Sequence, residues 1–227
     1  MSADRWLPLE SNPDVMNKFV HKLGMPKEWG FTDIYSLELL DMVPKPVAAV
    51  LILFPVNQKY EESSKEEQEK IDKEGQEVSK NLMFIKQTIG NACGTIALLH
   101  SIVNNSDKIQ LSGYLSNFIE KTKDMTPEER ASYLKEDEGL SSAHEESAQE
   151  GQTEAVDEEV NLHFIALVHK DGSLYEMDGR KPNPINHGKC SNETVLEDAA
   201  AVCMKFMNRD PTELRFTLIA LSKLSDS

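Results

Sequence analysis

Gln87-Thr88-Ile89-Gly90-Asn91-Ala92-Cys93-Gly94-Thr95 carries a cysteine at the point where a polar, glycine-containing turn gives way to the apolar run Thr95 to Val103. That run reads as a helix. The Cys93 thiol then stands among unpaired backbone N–H groups at the positive end of the helix dipole, and both favour a thiolate. Gln87, six residues upstream, is placed to aim an amide N–H at an oxyanion forming beside Cys93. A small buried structural cysteine fits the same stretch. The two readings part on whether the rest of the chain supplies a base.

Six histidines are available. His21 falls on an expected first helix, His100 on the helix of Cys93, His144 in an acidic stretch, and His169 and His187 near turns. His163 differs, because it opens the apolar strand His163-Phe164-Ile165-Ala166-Leu167-Val168. A base at the end of a strand is held by the sheet and can meet a helix N-terminus from elsewhere in the fold. Lys170-Asp171-Gly172 signals a hairpin turn between Leu162–Val168 and Ser173–Met177. Asp178, just past the second strand, then lies beside His163 at the same end of the hairpin, placed to orient it. Asp178-Gly179 also suits a turn carboxylate bonded to a following amide.

Working outward, Val47 to Phe54 lies between Pro46 and Pro55 and is rich in Val, Ile and Leu, so it reads as a buried strand. Ser11-Asn12-Pro13 with Val15, Phe19, Val20 and Leu23 predicts a first helix stopped by Gly24. Further helices are expected over Tyr114–Lys121, Thr126–Leu134, where Thr126 and Glu129 form a capping box, and Glu193–Asn208. Phe31–Tyr35 and Leu214–Leu221 read as strands, and Leu37–Met42 as a helical turn. Lys59–Lys80 is mostly Glu and Lys, a solvated helix or mobile insertion to which no chemistry is assigned. Glu136–Glu159 has no Lys or Arg and few large apolar residues, so a long flexible loop is expected there. The pattern favours one α+β domain with a mainly antiparallel sheet.

The net charge of −15 opposes nucleic-acid binding and favours a basic partner. No apolar run is long enough to span a membrane, and Met1 to Pro8 does not read as a signal peptide. A cytoplasmic or nuclear location is the expectation. Cys93, Cys190 and Cys203 show no C-x-x-C spacing, which argues against a disulfide framework or a zinc site. Cys203 shares a helical face with Ala199 and Phe206 and is expected in the core, whereas Cys190 lies in a polar loop and is expected to be exposed.

Gln87 with Asn91–Thr95, His163 before Phe164–Leu167, and Asp178-Gly179-Arg180-Lys181 together resemble the signatures of the ubiquitin C-terminal hydrolase family of cysteine peptidases. Trp6 to Pro13 and Asp210 to Phe216 are similar to its short members, so the resemblance spans 1–227. It implies a single α/β/α domain with a papain-like core and a knotted backbone. It also implies that Cys93 is the nucleophile, His163 the base and later proton donor, Asp178 the orienter and Gln87 an oxyanion donor, with no metal or cofactor. The family cleaves small or unfolded adducts from the C-terminal glycine of ubiquitin, through an acyl-enzyme. Its crossover loop, through which the substrate tail passes, corresponds to Glu136–Glu159.

Ubiquitin contacts carried over from the family fall on three stretches, together with the acidic Asp33. They are Pro8, Leu9, Glu10, Ser11, Asn12 and Pro13; Glu146, Ser147, Ala148, Gln149, Glu150, Gly151, Gln152 and Thr153; and Glu213, Leu214, Arg215, Phe216, Thr217 and Leu218. Alternatives within the resemblance are a ubiquitin-binding or ubiquitin-stabilising protein with incidental turnover, and a hydrolase preferring the neddylation modifier. A monomer is expected.

Overall fold

Residues 5–151 and 161–224 are described by the structure, a computed structural model. The order is α1 (Pro13–Leu23), β1 (Trp29–Asp33), a 3-10 turn (Leu40–Met42), β2 (Val47–Pro55), α2 (Gln58–Glu74), α3 (Cys93–Val103), α4 (Gly113–Thr122), α5 (Pro127–Glu136), α6 (Glu138–Gln149), β3 (Leu162–Lys170), β4 (Ser173–Met177), β5 (Ile185–Lys189), α7 (Val195–Arg209) and β6 (Thr217–Lys223). The strands form one sheet in the order β1-β6-β2-β3-β4-β5, and each neighbouring pair is antiparallel. The chain is therefore a single α+β domain, as its patterning indicates.

The run of apolar residues in β2 lacks alternation because both faces of the strand are covered. Ala49 and Leu51 enter a core shared with α1, α3, α4 and α6, whereas Val50, Ile52 and Phe54 enter a second core against α7. β3 divides in the same way, with Phe164, Ala166 and Val168 on one side and Ile165 and Leu167 on the other. Helix α3, buried along its whole length, packs on β2 and β3. The predicted hairpin forms as read: Asp171 and Gly172 have φ of 46° and 80°, suited to a tight two-residue turn, and Lys170 pairs with Ser173. Asn12 caps α1, and Thr126 with Glu129 closes the capping box of α5.

The acidic stretch departs from expectation. Glu136 ends α5, and residues 138–149 form α6, capped by the Asp137 side chain on the Leu140 N–H at 2.9 Å. Leu140, Ala143, His144, Ser147 and Ala148 make its buried face at helical spacing. The periodicity is genuine but written in small and polar residues, so composition hid it; residues 152–159 of the expected loop lie outside the described ones. Two strands are also displaced. β1 begins at Trp29 and leaves Tyr35 exposed, and β6 begins at Thr217. The edge strand β5 escaped the sequence reading because Asn186, His187 and Gly188 carry no strand preference, and it exists through pairing with β4.

Candidate active site

Cys93 is the first residue of α3, following Asn91 in the left-handed region at φ 59°. Cys93 is 8% exposed. Gly94 beside it allows a close approach, since a Cβ there would stand 3.0 Å from that of Leu9, which packs the N-terminal segment onto the helix start. The same segment is tied to the turn before Cys93 by Trp6 N–H donating to the Gly90 carbonyl at 2.9 Å.

His163 and Asp178 meet at the end of the hairpin, just beyond the last paired residues Ala166 and Met177. Nε2 of His163 lies 2.7 Å from Oδ1 of Asp178, and both side chains are buried. Because Asp178 is held well below the usual carboxylate range, Nε2 bears the proton, and Nδ1 is left without a hydrogen-bond partner among the described residues. Asp178 Oδ1 also accepts the Arg180 N–H at 2.9 Å, while Oδ2 accepts the Tyr60 O–H at 3.1 Å. Burial opposes the carboxylate's ionisation, and the positive influence of His163, then the Arg180 amide and Lys181, overcome it.

Gln87 is anchored through its backbone. Its N–H donates to the Gly179 carbonyl at 2.9 Å, and a Cβ on Gly179 would lie 2.9 Å from that of Gln87, so glycine permits this approach. His100, about two turns into α3, fixes the segment before the helix: Nε2 accepts the Ile85 N–H at 2.9 Å and Nδ1 donates to the Met177 carbonyl at 3.2 Å. The Gln87 amide donates to Ile89 at 3.2 Å, and its buried oxygen is unpartnered among the described residues.

The three thiols separate electrostatically. Burial would raise Cys93, but the adjoining His163, followed by the Phe164 backbone and Arg180, carries it below the ordinary thiol value. His163 is correspondingly raised: burial disfavours its charge, but Asp178 and then Cys93 outweigh that. Although Nδ1 has no hydrogen-bond partner among the described residues, His163 adjoins Cys93 so that each shifts the other, favouring a thiolate beside an imidazolium. Cys190 and Cys203 are instead pushed up to about 12, chiefly by burial. The expectation of an exposed Cys190 is incorrect, because its polar loop folds the sulfur into the second core at 8% exposure.

A family model described as ubiquitin carboxyl-terminal hydrolase, family 1, matches residues 6–208. The chain belongs to this family. It is 48% identical over 220 residues to a ubiquitin carboxyl-terminal hydrolase of Drosophila melanogaster, covering 96% of this chain and 97% of the relative. To the isozyme L1 of Homo sapiens it is 45% identical over 220 residues, covering 95% and 97%. Its fold is similar to the Trichinella spiralis UCH37 catalytic domain, crystallised with ubiquitin vinyl methyl ester, at a TM-score of 0.76 and 24% identity over 97% of this chain and 96% of that one. Ubiquitin carboxyl-terminal hydrolases of family 1 are cysteine-type deubiquitinases.

The surfaces carried over from the hydrolase family fall into two places. Around the start of α3, the N-terminal segment meets α6: His144 Nε2 donates to the Leu7 carbonyl at 2.7 Å, Nδ1 pairs with the Thr95 hydroxyl at 2.7 Å, and Lys18 pairs with Glu150. Glu10 lies against Gly151 there, and Glu146 pairs with Lys22. Pro8 and Ser11 are half-buried, and Gln149 and Glu150 are exposed. Leu9, expected among the ubiquitin contacts, is only 5% exposed because it packs against Gly94 at the helix start, and Ser147 and Ala148 face inward from α6. Asn12 and Pro13 are occupied in starting α1. Gln152 and Thr153 lie outside the described residues.

The second place is an open groove lined by Asp33, Phe216, Thr217, Leu218 and Met207 among others, with Leu214 and Arg215 exposed nearby. Leu218 itself is buried. Glu213 is already engaged by the Arg215 guanidinium at 2.7 and 2.9 Å, which holds its carboxyl down at about 2.

Tyr60 and its neighbours were missed in the sequence. Helix α2 was given no chemistry, yet it delivers the Tyr60 phenol to Asp178 and Glu67 to Lys181 at 2.7 Å. A lone aromatic in an otherwise polar helix was the available signal. Glu67, Glu176 and His187 also bring ligand atoms within 4.8 Å of one another, but the Lys181 ammonium lies 2.7 Å from both glutamates and supplies the positive charge there.

Proposed function

We propose that this chain is a deubiquitinating thiol hydrolase in which Cys93 is the nucleophile, His163 the base and proton donor, Asp178 the orienter and Gln87 an oxyanion donor. The observation that carries the reading is the selective lowering of Cys93 beside a His163 whose far nitrogen is bound to Asp178, while the other two thiols are raised. The Cys93 thiolate attacks the carbonyl carbon after the C-terminal glycine of ubiquitin, and the oxyanion that forms is met by α3 backbone N–H groups and the Gln87 amide. Collapse breaks the bond to the leaving group, which takes the proton from His163 Nδ1, and a thioester remains on Cys93. Neutral His163 then draws a proton from water, whose oxygen attacks the thioester, and the returned thiol completes the cycle.

Two further features support ubiquitin as the substrate. The net charge of −15 suits the arginine-containing tail of the family's substrate, and α6 with the N-terminal segment flanks the start of α3, where such a tail has to arrive. Release of a fluorophore from the C-terminal amide of ubiquitin tests the assignment. Cys93→Ala and His163→Ala are expected to abolish turnover. Retained turnover in either removes the proposed mechanism, and a parallel substrate built on the neddylation modifier measures the preference between the two.

A further inference from the structure

Asp178 can orient His163 only if its own carboxylate is held, and its two oxygens are held differently. Oδ1 receives two donors, His163 Nε2 at 2.7 Å and the Arg180 N–H at 2.9 Å, whereas Oδ2 receives the Tyr60 hydroxyl at 3.1 Å. A carboxylate anchored at one oxygen can rotate and trade its oxygens; a donor at the second removes that freedom. We propose that Tyr60 is a positioning residue for hydrolysis, its hydroxyl clamping Oδ2 of Asp178 so that Oδ1 stays on His163.

The placement of the phenol is over-determined. Helix α2 buries none of its residues fully, so an apolar face does not dictate where Tyr60 points. Its ring is gripped instead by Phe54 at 4.8 Å and Phe206 at 6.2 Å, with the Arg209 guanidinium 5.5 Å over the face. Phe54 also packs against the His163 ring in a T-shaped arrangement, centroids 5.8 Å apart, so one aromatic side chain supports both ends of the hydrogen-bonded chain. The helix is fastened at its start by Asn57 and Lys59 on Asp210, at 3.2 and 2.7 Å, and farther along by Glu67 on Lys181. Burial and the charges of Asp178 and Glu176 raise the phenol far above its ordinary value, so it remains a donor across the working pH range.

This inference rests on the catalytic roles assigned to Cys93, His163 and Asp178, and its test separates the two. Tyr60→Phe keeps the ring and deletes the hydroxyl. On a ubiquitin C-terminal amide, kcat is expected to fall about three- to tenfold with KM unchanged, a fraction of what a hydrogen bond to a charged group is worth. The barer carboxylate holds the His163 proton more tightly, so the alkaline limb of the kcat/KM profile moves up by about 0.3 to 0.5 unit. If Cys93→Ala and His163→Ala are inactive while Tyr60→Phe matches the native kcat, the clamp is overturned and the catalytic assignment stands. A lower kcat with an unmoved alkaline limb assigns the hydroxyl to packing and equally overturns it. Turnover by Cys93→Ala or His163→Ala overturns the assignment beneath it. Thermal melting of each variant confirms that rates are compared between folded proteins.

Discussion

His100 makes the stability of this fold depend on acid in a calculable way. Its Nε2 accepts the Ile85 N–H, so the folded ring is neutral, and burial lowers it to about 4 from an ordinary 6.5. The unfolded chain therefore binds a proton that the native state refuses between those values. The contribution of His100 is complete above about pH 6.5, shrinks as the pH falls toward 4, and at pH 5 amounts to a loss of about 2 kcal/mol relative to pH 7. His144, also lowered to about 4 by burial, titrates in the same window, so the native profile alone does not isolate one ring. His100→Gln does: the amide can accept from Ile85 and donate to Met177, but it does not titrate. Urea unfolding of both proteins at pH 7, 6 and 5 should show the native chain losing about 2 kcal/mol more than the variant over that range. A stability difference that stays constant with pH would refute the reasoning, because it would mean that His100 binds its proton equally in both states.

Gly179→Ala places a Cβ 2.9 Å from that of Gln87, so loss of about 2 kcal/mol on denaturant unfolding and a reduced kcat are expected together. Lys181→Met leaves the fully buried Glu176 with His187 as its remaining ion-pair partner among the described residues and should destabilise by about 3 kcal/mol, again by urea titration. Thr126→Ala breaks the α5 capping box, in which Thr126 Oγ1 accepts the Glu129 N–H at 3.2 Å, and should cost about 1 kcal/mol with ubiquitin-amide hydrolysis unaltered.

Where a signal is local, it survives in the sequence. The Asp171-Gly172 turn sets the hairpin register between the apolar strands β3 and β4, and His163 and Asp178 then meet at its far end across only fifteen residues. Helix α6 shows the limit of such reading. Its inward face is Ala143, His144, Ser147 and Ala148 around Leu140, and those residues declare themselves as a face only when α1 and the N-terminal segment are packed against them. Cys190 fails for the same reason, since a polar neighbourhood along the chain does not determine what covers a sulfur in space.

The sequence by itself determined the helix starts, the buried strands, the hairpin and the motifs that resemble a ubiquitin hydrolase, because caps, turns and periodicity act between residues a few positions apart. Only the tertiary structure decided that Cys93 is the lowered thiol among three, that α6 is ordered through His144, and that Tyr60 reaches Asp178 across 118 residues. Those outcomes depend on desolvation and on contacts between distant segments. Both arise when the sheet, α3 and α2 are brought together, and no local stretch encodes them.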